Sequence, residues 1–289
     1  MTPKLDKRRH PYRDDLAADY LRERITAQRY VEGQRRQIVH SAAQLRDRPD
    51  AKAGWTTEAL FGEIATVYEQ KDGWAWVQLE RDDYVGYLRD GALSDQVQEH
   101  THMVRAIGTF LYPEPDIKSP PWMHVSITAS LAIAEEGPTF SKLADGRHVP
   151  TRHIIERTRH AADFVAVAER FVGVPYVWGG KTRLGVDCSG LVQVAMQAAG
   201  HTCPRDSDMQ QAEVGDTVPI REQLDNLQRG DLVFWKGHVG IMTDGFMLLH
   251  ANAHHMAVVL EPLKTAVDRI SRGNSPITAI RRPTTRKAV

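Results

Sequence analysis

The residue with the most obvious chemistry is Cys188, in Asp187-Cys188-Ser189-Gly190. Leu191, Val192, Ala195, Met196 and Ala199 follow it at helical spacing, so Cys188 falls at or beside a helix N-terminus. Unpaired N–H groups and the positive end of the helix dipole there favour thiolate over thiol and suit an oxyanion. A cysteine in that position is equally compatible with a small buried apolar residue. The nucleophilic reading therefore needs a base.

The base is sought in the stretch from Gly237 to His250, which reads as a hairpin carrying His238 and His250. With a three-residue loop, Thr243-Asp244-Gly245, and Gly245 at its left-handed position, Met242 faces Phe246 and His238 faces His250. Directly opposed residues share a face with Cβ atoms about 5 Å apart, close enough for one imidazole to orient the other. A two-residue turn at Asp244-Gly245 places the histidines on opposite faces, because one step of register flips every side chain. On the first alternative Cys188, His238 and His250 form a nucleophile, base and orienter.

These residues need elements to hold them. From about residue 154 the pattern is helices over 161–171 and 189–199, the second closed by Gly200, then strands at 231–235, 239–242, 246–251 and 258–260. Helices followed by antiparallel strands indicate an α+β domain. Residues 1–35, rich in Arg, Asp, Glu and Ala with Leu16, Tyr20, Leu21, Ile25 and Tyr30 at mixed helical spacings, read as a helical arm whose basic residues form a solvated face. Residues 36–98 carry short β-type runs such as Ile64-Ala65-Thr66-Val67-Tyr68 and Trp74-Ala75-Trp76-Val77-Gln78-Leu79, separated by polar turns, and predict a small barrel. A second β set over 99–153 surrounds the Pro-rich breaks at Tyr112-Pro113-Glu114-Pro115 and Ser119-Pro120-Pro121. The catalytic domain is expected over 154–285.

Six motifs in order resemble the NlpC-type family of bacterial cell-wall peptidases. They are Pro175-Tyr176-Val177-Trp178-Gly179-Gly180, Asp187-Cys188-Ser189-Gly190, Pro204-Arg205-Asp206-Ser207, Gly230-Asp231-Leu232-Val233-Phe234-Trp235, Gly237-His238-Val239-Gly240-Ile241 and Leu249-His250-Ala251-Asn252. The first β set resembles a bacterial Src-homology-3-like module through Leu45-Arg46, Phe61-Gly62-Glu63, Gly73-Trp74-Ala75-Trp76-Val77 and Asp83-Tyr84-Val85-Gly86-Tyr87-Leu88; the second resembles one more loosely. The resemblance implies a papain-like fold, a Cys188, His238, His250 triad and no cofactor. It also implies hydrolysis of the amide between D-γ-glutamate and a diamino acid in peptidoglycan stem peptides. The dipeptidyl-peptidase VI-like subgroup with such modules trims free peptides that begin with L-alanine. By position Glu63, Tyr84 and Asp187 match residues that bind the peptide's amino terminus, and acidic and phenolic groups suit an ammonium. Ser189, Arg205 and Ser207 match substrate-contact positions, and Tyr176 lies beside the nucleophile. Other amide hydrolysis or acyl transfer on the same fold, and wall binding without turnover, are the alternatives.

Composition narrows the partners. Thirty-seven Lys plus Arg balance 37 Asp plus Glu, so there is no global basic field for nucleic acid or an anionic membrane. No run of about 18 apolar residues marks a membrane span or signal peptide, and two cysteines, Cys188 and Cys203, suit a reducing compartment, so a cytoplasmic address is expected, with export by a non-classical route as the alternative. Metal binding is not expected: His254 and His255 lie near His250, but strand residues four apart are about 13 Å from each other. Gly179-Gly180-Lys181-Thr182 imitates the end of a phosphate loop, but Pro175 stands where its first glycine belongs.

Overall fold

A computed structural model describes residues 5–284. The chain divides into two compact units, one running to Arg157 and the other from Thr158 on.

In the first unit the residues of the expected arm are not helical; residues 1–4 of it lie outside the described part. Leu16–Ala18 is a strand paired in parallel with Arg29–Val31, with one 3-10 turn at Asp19–Leu21 between. Leu16, Ala17 and Ala18 are all buried, which no helical stripe would allow, and Tyr12, Ala17, Ala18 and Leu21 pack in one cluster with Tyr68 of the neighbouring sheet. Nor are the arm's basic residues merely solvated. Arg13 lies over Trp76, 4.4 Å from ring centroid to guanidinium, donates to Tyr87 and pairs with Glu69 at 2.7 Å.

Residues 34–94 form a seven-stranded antiparallel sheet in the order Trp55–Leu60, Ala42–Arg46, Val85–Arg89, Trp74–Leu79, Ile64–Lys71, Gln34–Ile38, Leu93–Ser94. Its alternating apolar residues, including Leu45, Val67, Val77, Leu79 and Leu88, enclose one core. A second core, of Leu60, Val104, Leu111, Val125, Leu131, Leu143, Val149 and Ile154, is wrapped by three small antiparallel sheets. The last of these strands, Ile154–Glu156, pairs with His102–Val104, so this β set runs past the expected boundary at residue 153.

The second unit packs helices against a six-stranded antiparallel sheet, ordered Asp216–Val218, Ala279–Arg282, Leu232–Trp235, His238–Met242, Met247–Asn252, Ala257–Pro262. The helices are α1 (Phe164–Glu169), α2 (Cys188–Ala198), α3 (Ser207–Glu213) and α4 (Leu263–Ser271). Helix α2 is buried on nearly every side, its sequence apolar or small apart from Gln193 and Gln197, and packs on α1 and on the strands His238–Met242 and Met247–Asn252. Its C-terminus closes as expected: Gly200 has φ of +79°, its N–H bonds to Gln197 O and the His201 N–H to Met196 O. Helix α1 is shorter than expected because Asp163, accepting from the Val165 N–H at 2.8 Å, sets its start.

Candidate active site

Cys188 is the first residue of α2, and Asp187 is the N-cap, its Oδ1 accepting from the Gly190 N–H at 2.7 Å. A Cβ on Gly190 would stand 2.2 Å from the Gly180 carbonyl oxygen, so glycine is required where the loop crosses the helix start. That loop is tied down by the Gly179 N–H, which donates to Asp187 Oδ2 at 2.8 Å.

The helix terminus does not depress the thiol as the sequence suggests. Burial, and then the charge of Asp187, push Cys188 up to about 12, outweighing the Val239 and Ser189 N–H groups at the sulfur and the Arg205 charge. The resting residue is a thiol, and a base must take its proton as it reacts. The Val239 amide contact sets the sulfur against the strand that begins with His238.

Across that strand His238 Nε2 lies 2.8 Å from His250 Nδ1. The sheet register pairs Ile241 with Leu249 and Met242 with Leu248, two residues away from the expected pairing of Met242 with Phe246. The loop is wider, with the Thr243 N–H bonded to Met247 O and Asp244 Oδ1 accepting from the N–H groups of Phe246 and Met247; Gly245 is not left-handed. A shift of two preserves the face, so the histidines meet diagonally rather than head-on. Gly240 makes room, since a Cβ there would lie 2.7 Å from Leu248 Cδ1 and 3.2 Å from His250 Cβ. Burial, followed by His250, lowers His238 to about 3, and burial also lowers His250, so both rings are neutral at pH 7.

The sequence reading missed Glu261. On the next strand His250 pairs with Val259, placing Glu261 one diagonal step further, and its Oε1 lies 2.7 Å from His250 Nε2. Arg269 of α4 reaches the other oxygen at 2.7 Å. The strand was expected to stop at Leu260; a lone carboxylate continuing an apolar strand was the available signal.

Among the expected substrate residues the structure pairs two with each other. Asp187 and Arg205 are 7 % and 1 % exposed and form a two-pronged ion pair at 3.0 and 2.7 Å, with Arg205 also donating to Ser189 Oγ at 2.8 Å. Two backbone N–H groups, of Gly179 and Gly190, also donate to the Asp187 carboxylate. Ser189 is buried in the same network. Ser207 opens α3 and is half-buried. Tyr176 is half-buried, its N–H bonded to Met256 O, and burial, together with the nearby Asp187 charge, raises its phenol. In the first unit Glu63 is buried with Oε1 3.2 Å from Arg81 and Oε2 accepting from the Leu60 N–H, and Tyr84 is buried in the first core.

Comparison with known proteins agrees with this geometry. The NlpC/P60 family matches residues 173–269, and the bacterial dipeptidyl-peptidase Sh3 domain matches residues 45–93. Dipeptidyl-peptidase 6 of Lysinibacillus sphaericus is 26 % identical over 247 residues, covering 74 % of this chain and 86 % of its own. The gamma-D-glutamyl-L-lysine dipeptidyl-peptidase of Bacillus subtilis is 31 % identical over 219 residues, covering 68 % of this chain and 71 % of its own. The crystal structure of an NlpC/P60 family protein from Bacillus cereus superposes with a TM-score of 0.73 at 23 % identity, over 86 % of this chain and 99 % of that one, a likeness of fold. With a buried cysteine opening α2, two histidines bonded across the adjoining strands and a relative matched over two thirds of both chains, the protein belongs to the NlpC/P60 family of cysteine peptidases.

Proposed function

We propose that the protein hydrolyses the amide between D-γ-glutamate and the diamino acid of peptidoglycan stem peptides, with Cys188 as nucleophile, His238 as base and acid, and His250 as orienter. The observation that carries this is the 2.8 Å His238–His250 contact on the strands against which the start of α2 packs. The names of the two curated relatives, both dipeptidyl-peptidases and one acting on a gamma-D-glutamyl-L-lysine bond, supply the substrate class.

Cys188 Sγ attacks the γ-glutamyl carbonyl carbon as its proton passes to His238, giving a tetrahedral oxyanion. The Ser189 and Val239 amides, which face the sulfur, would receive that charge. The C–N bond then breaks, His238 returns the proton to the departing amine, and a thioester remains. Water attacks the thioester, giving its proton to His238 and then to the thiolate as the acid leaves.

The preferred substrate in this reading is a free peptide with N-terminal L-alanine. Its amine would be received by Glu63 and Tyr84, where it competes with Arg81 for the Glu63 carboxylate. Tyr176 and Ser207 would contact the peptide, and the second β set would be a further Src-homology-3-like module. A cytoplasmic site of action fits two cysteines, Cys188 and Cys203, that are not joined in a disulfide; recovery of the protein from the periplasm or medium on fractionation would exclude it.

The test is mass spectrometry after incubation with L-Ala-γ-D-Glu-diaminopimelate and with its N-acetylated form, using Cys188→Ala as control. Release of L-Ala-γ-D-Glu from the free-amine peptide alone is the expected result. Cleavage of both forms removes the amine pocket, and turnover by the Cys188→Ala protein removes the mechanism.

A further inference from the structure

The proposed triad does not by itself say which nitrogen of His238 carries a proton. A neutral imidazole has one donor and one acceptor, and the 2.8 Å contact between His238 Nε2 and His250 Nδ1 is satisfied equally well in either direction. The two directions differ in consequence. If His250 donates, the neutral His238 ring carries its proton on Nδ1 and has no lone pair left for Cys188. If His238 donates, Nδ1, the nitrogen not engaged by His250, is the free base.

Glu261 decides between them. It is 9 % exposed, and both carboxylate oxygens are held by Arg269, at 2.7 and 2.5 Å. Arg269 and His250 outweigh burial and bring Glu261 down to about 2, so at working pH it is a carboxylate, which only accepts. The 2.7 Å contact with His250 Nε2 must then be donated by His250. With its proton on Nε2, neutral His250 offers Nδ1 as acceptor, and His238 must donate from Nε2. We infer that Glu261, pinned by Arg269, is a positioning residue that fixes the tautomer of both histidines and thereby leaves His238 Nδ1 as the base for Cys188. The chain of contacts runs diagonally over three neighbouring strands of one sheet, so backbone pairing holds it in line. The same carboxylate offsets the positive charge that appears on His238 when it takes the thiol proton.

This role rests on His238 being the base, but its direct readout does not require a substrate. Histidine-labelled protein examined by long-range 1H–15N correlation at neutral pH should show both rings with the proton on Nε2. In Glu261→Gln, which is close to isosteric, the amide NH2 can face His250 and the opposite tautomer becomes populated. Turnover should fall about 10- to 100-fold, the range in which partners of this kind act in metal sites, with KM changed less than about twofold. Glu261→Asp, which keeps a carboxylate, should restore the Nε2 tautomers and part of the turnover. Arg269→Leu leaves Glu261 in place; if Glu261→Gln does not fold, the partial appearance of the second tautomer in Arg269→Leu is the substitute readout. Wild-type tautomers and kcat in Glu261→Gln, or a mixture of tautomers in the wild type, would overturn the inference. Loss of the proposed substrate, with the tautomers as described, would count against the peptidase reading and leave this one standing.

Discussion

Replacing Arg205 with leucine tests whether the start of α2 depends on a buried charge pair. Arg205 is 1 % exposed and donates to Asp187 at 3.0 and 2.7 Å and to Ser189 at 2.8 Å. In Arg205→Leu the Asp187 carboxylate keeps its two backbone donors but loses its counter-charge inside the domain. Removing one member of a buried pair costs about 3–5 kcal/mol. At a urea slope of about 2 kcal/mol/M this moves the unfolding midpoint down by about 2 M. Trp235, 1 % exposed in the core of the catalytic unit, is the fluorescence reporter. The double variant Asp187→Asn/Arg205→Leu should recover much of the loss, because asparagine also caps a helix and no charge is stranded. Arg205 also opposes the upward push of Asp187 on Cys188, so alkylation of the single variant at neutral pH should be slower than wild type. A midpoint within about 0.3 M of wild type, with unchanged alkylation, would refute the account.

Three further outcomes are expected. Gly190→Ala sets a Cβ against the Gly180 carbonyl and should lower both stability and turnover, seen as a lower melting temperature and a reduced kcat; an unchanged melt would mean the loop moves freely. Because His238 is held down to about 3 from an ordinary 6.5, the unfolded chain binds more protons across that window and stability falls as pH drops from about 6.5, with Glu261 adding to the loss from about 4.5 towards 2. Melting curves at pH 7, 5.5 and 4 should show the decline, and His238→Gln should flatten its upper part. With Cys188 pushed up to about 12, iodoacetamide labelling should keep accelerating above pH 9, and an early plateau near pH 7 would show a preformed thiolate instead.

The catalytic unit was largely legible because its signals are local: an apolar helix behind Cys188, glycine at its end, and strands with clear turns. The histidine pairing was read correctly in face and wrongly in register, since the Asp244 side chain, not a left-handed Gly245, organises the loop. Spatial pairs between distant motifs were not legible. Asp187 and Arg205 are 18 residues apart and Glu261 is 11 from His250, and only the folded sheet and loop show that the first two are paired inside the domain and the third is part of the site. The N-terminal segment misled because Leu16, Leu21 and Ile25 imitate a helical stripe, while burial of the consecutive Leu16-Ala17-Ala18 requires an extended strand covered on both sides.

That N-terminal segment also governs how the β region can be dissected. The Val85 N–H bonds to Arg8 O, Gln78 Nε2 donates to Arg9 O, and Arg13 covers Trp76. A fragment cut near residue 36, where composition places the first boundary, would strip these partners from the sheet and uncover Tyr68 and Trp76 together. Such a fragment would offer a fresh sticky aromatic face, and its binding to polysaccharide or to column matrices would report the cut rather than the native surface.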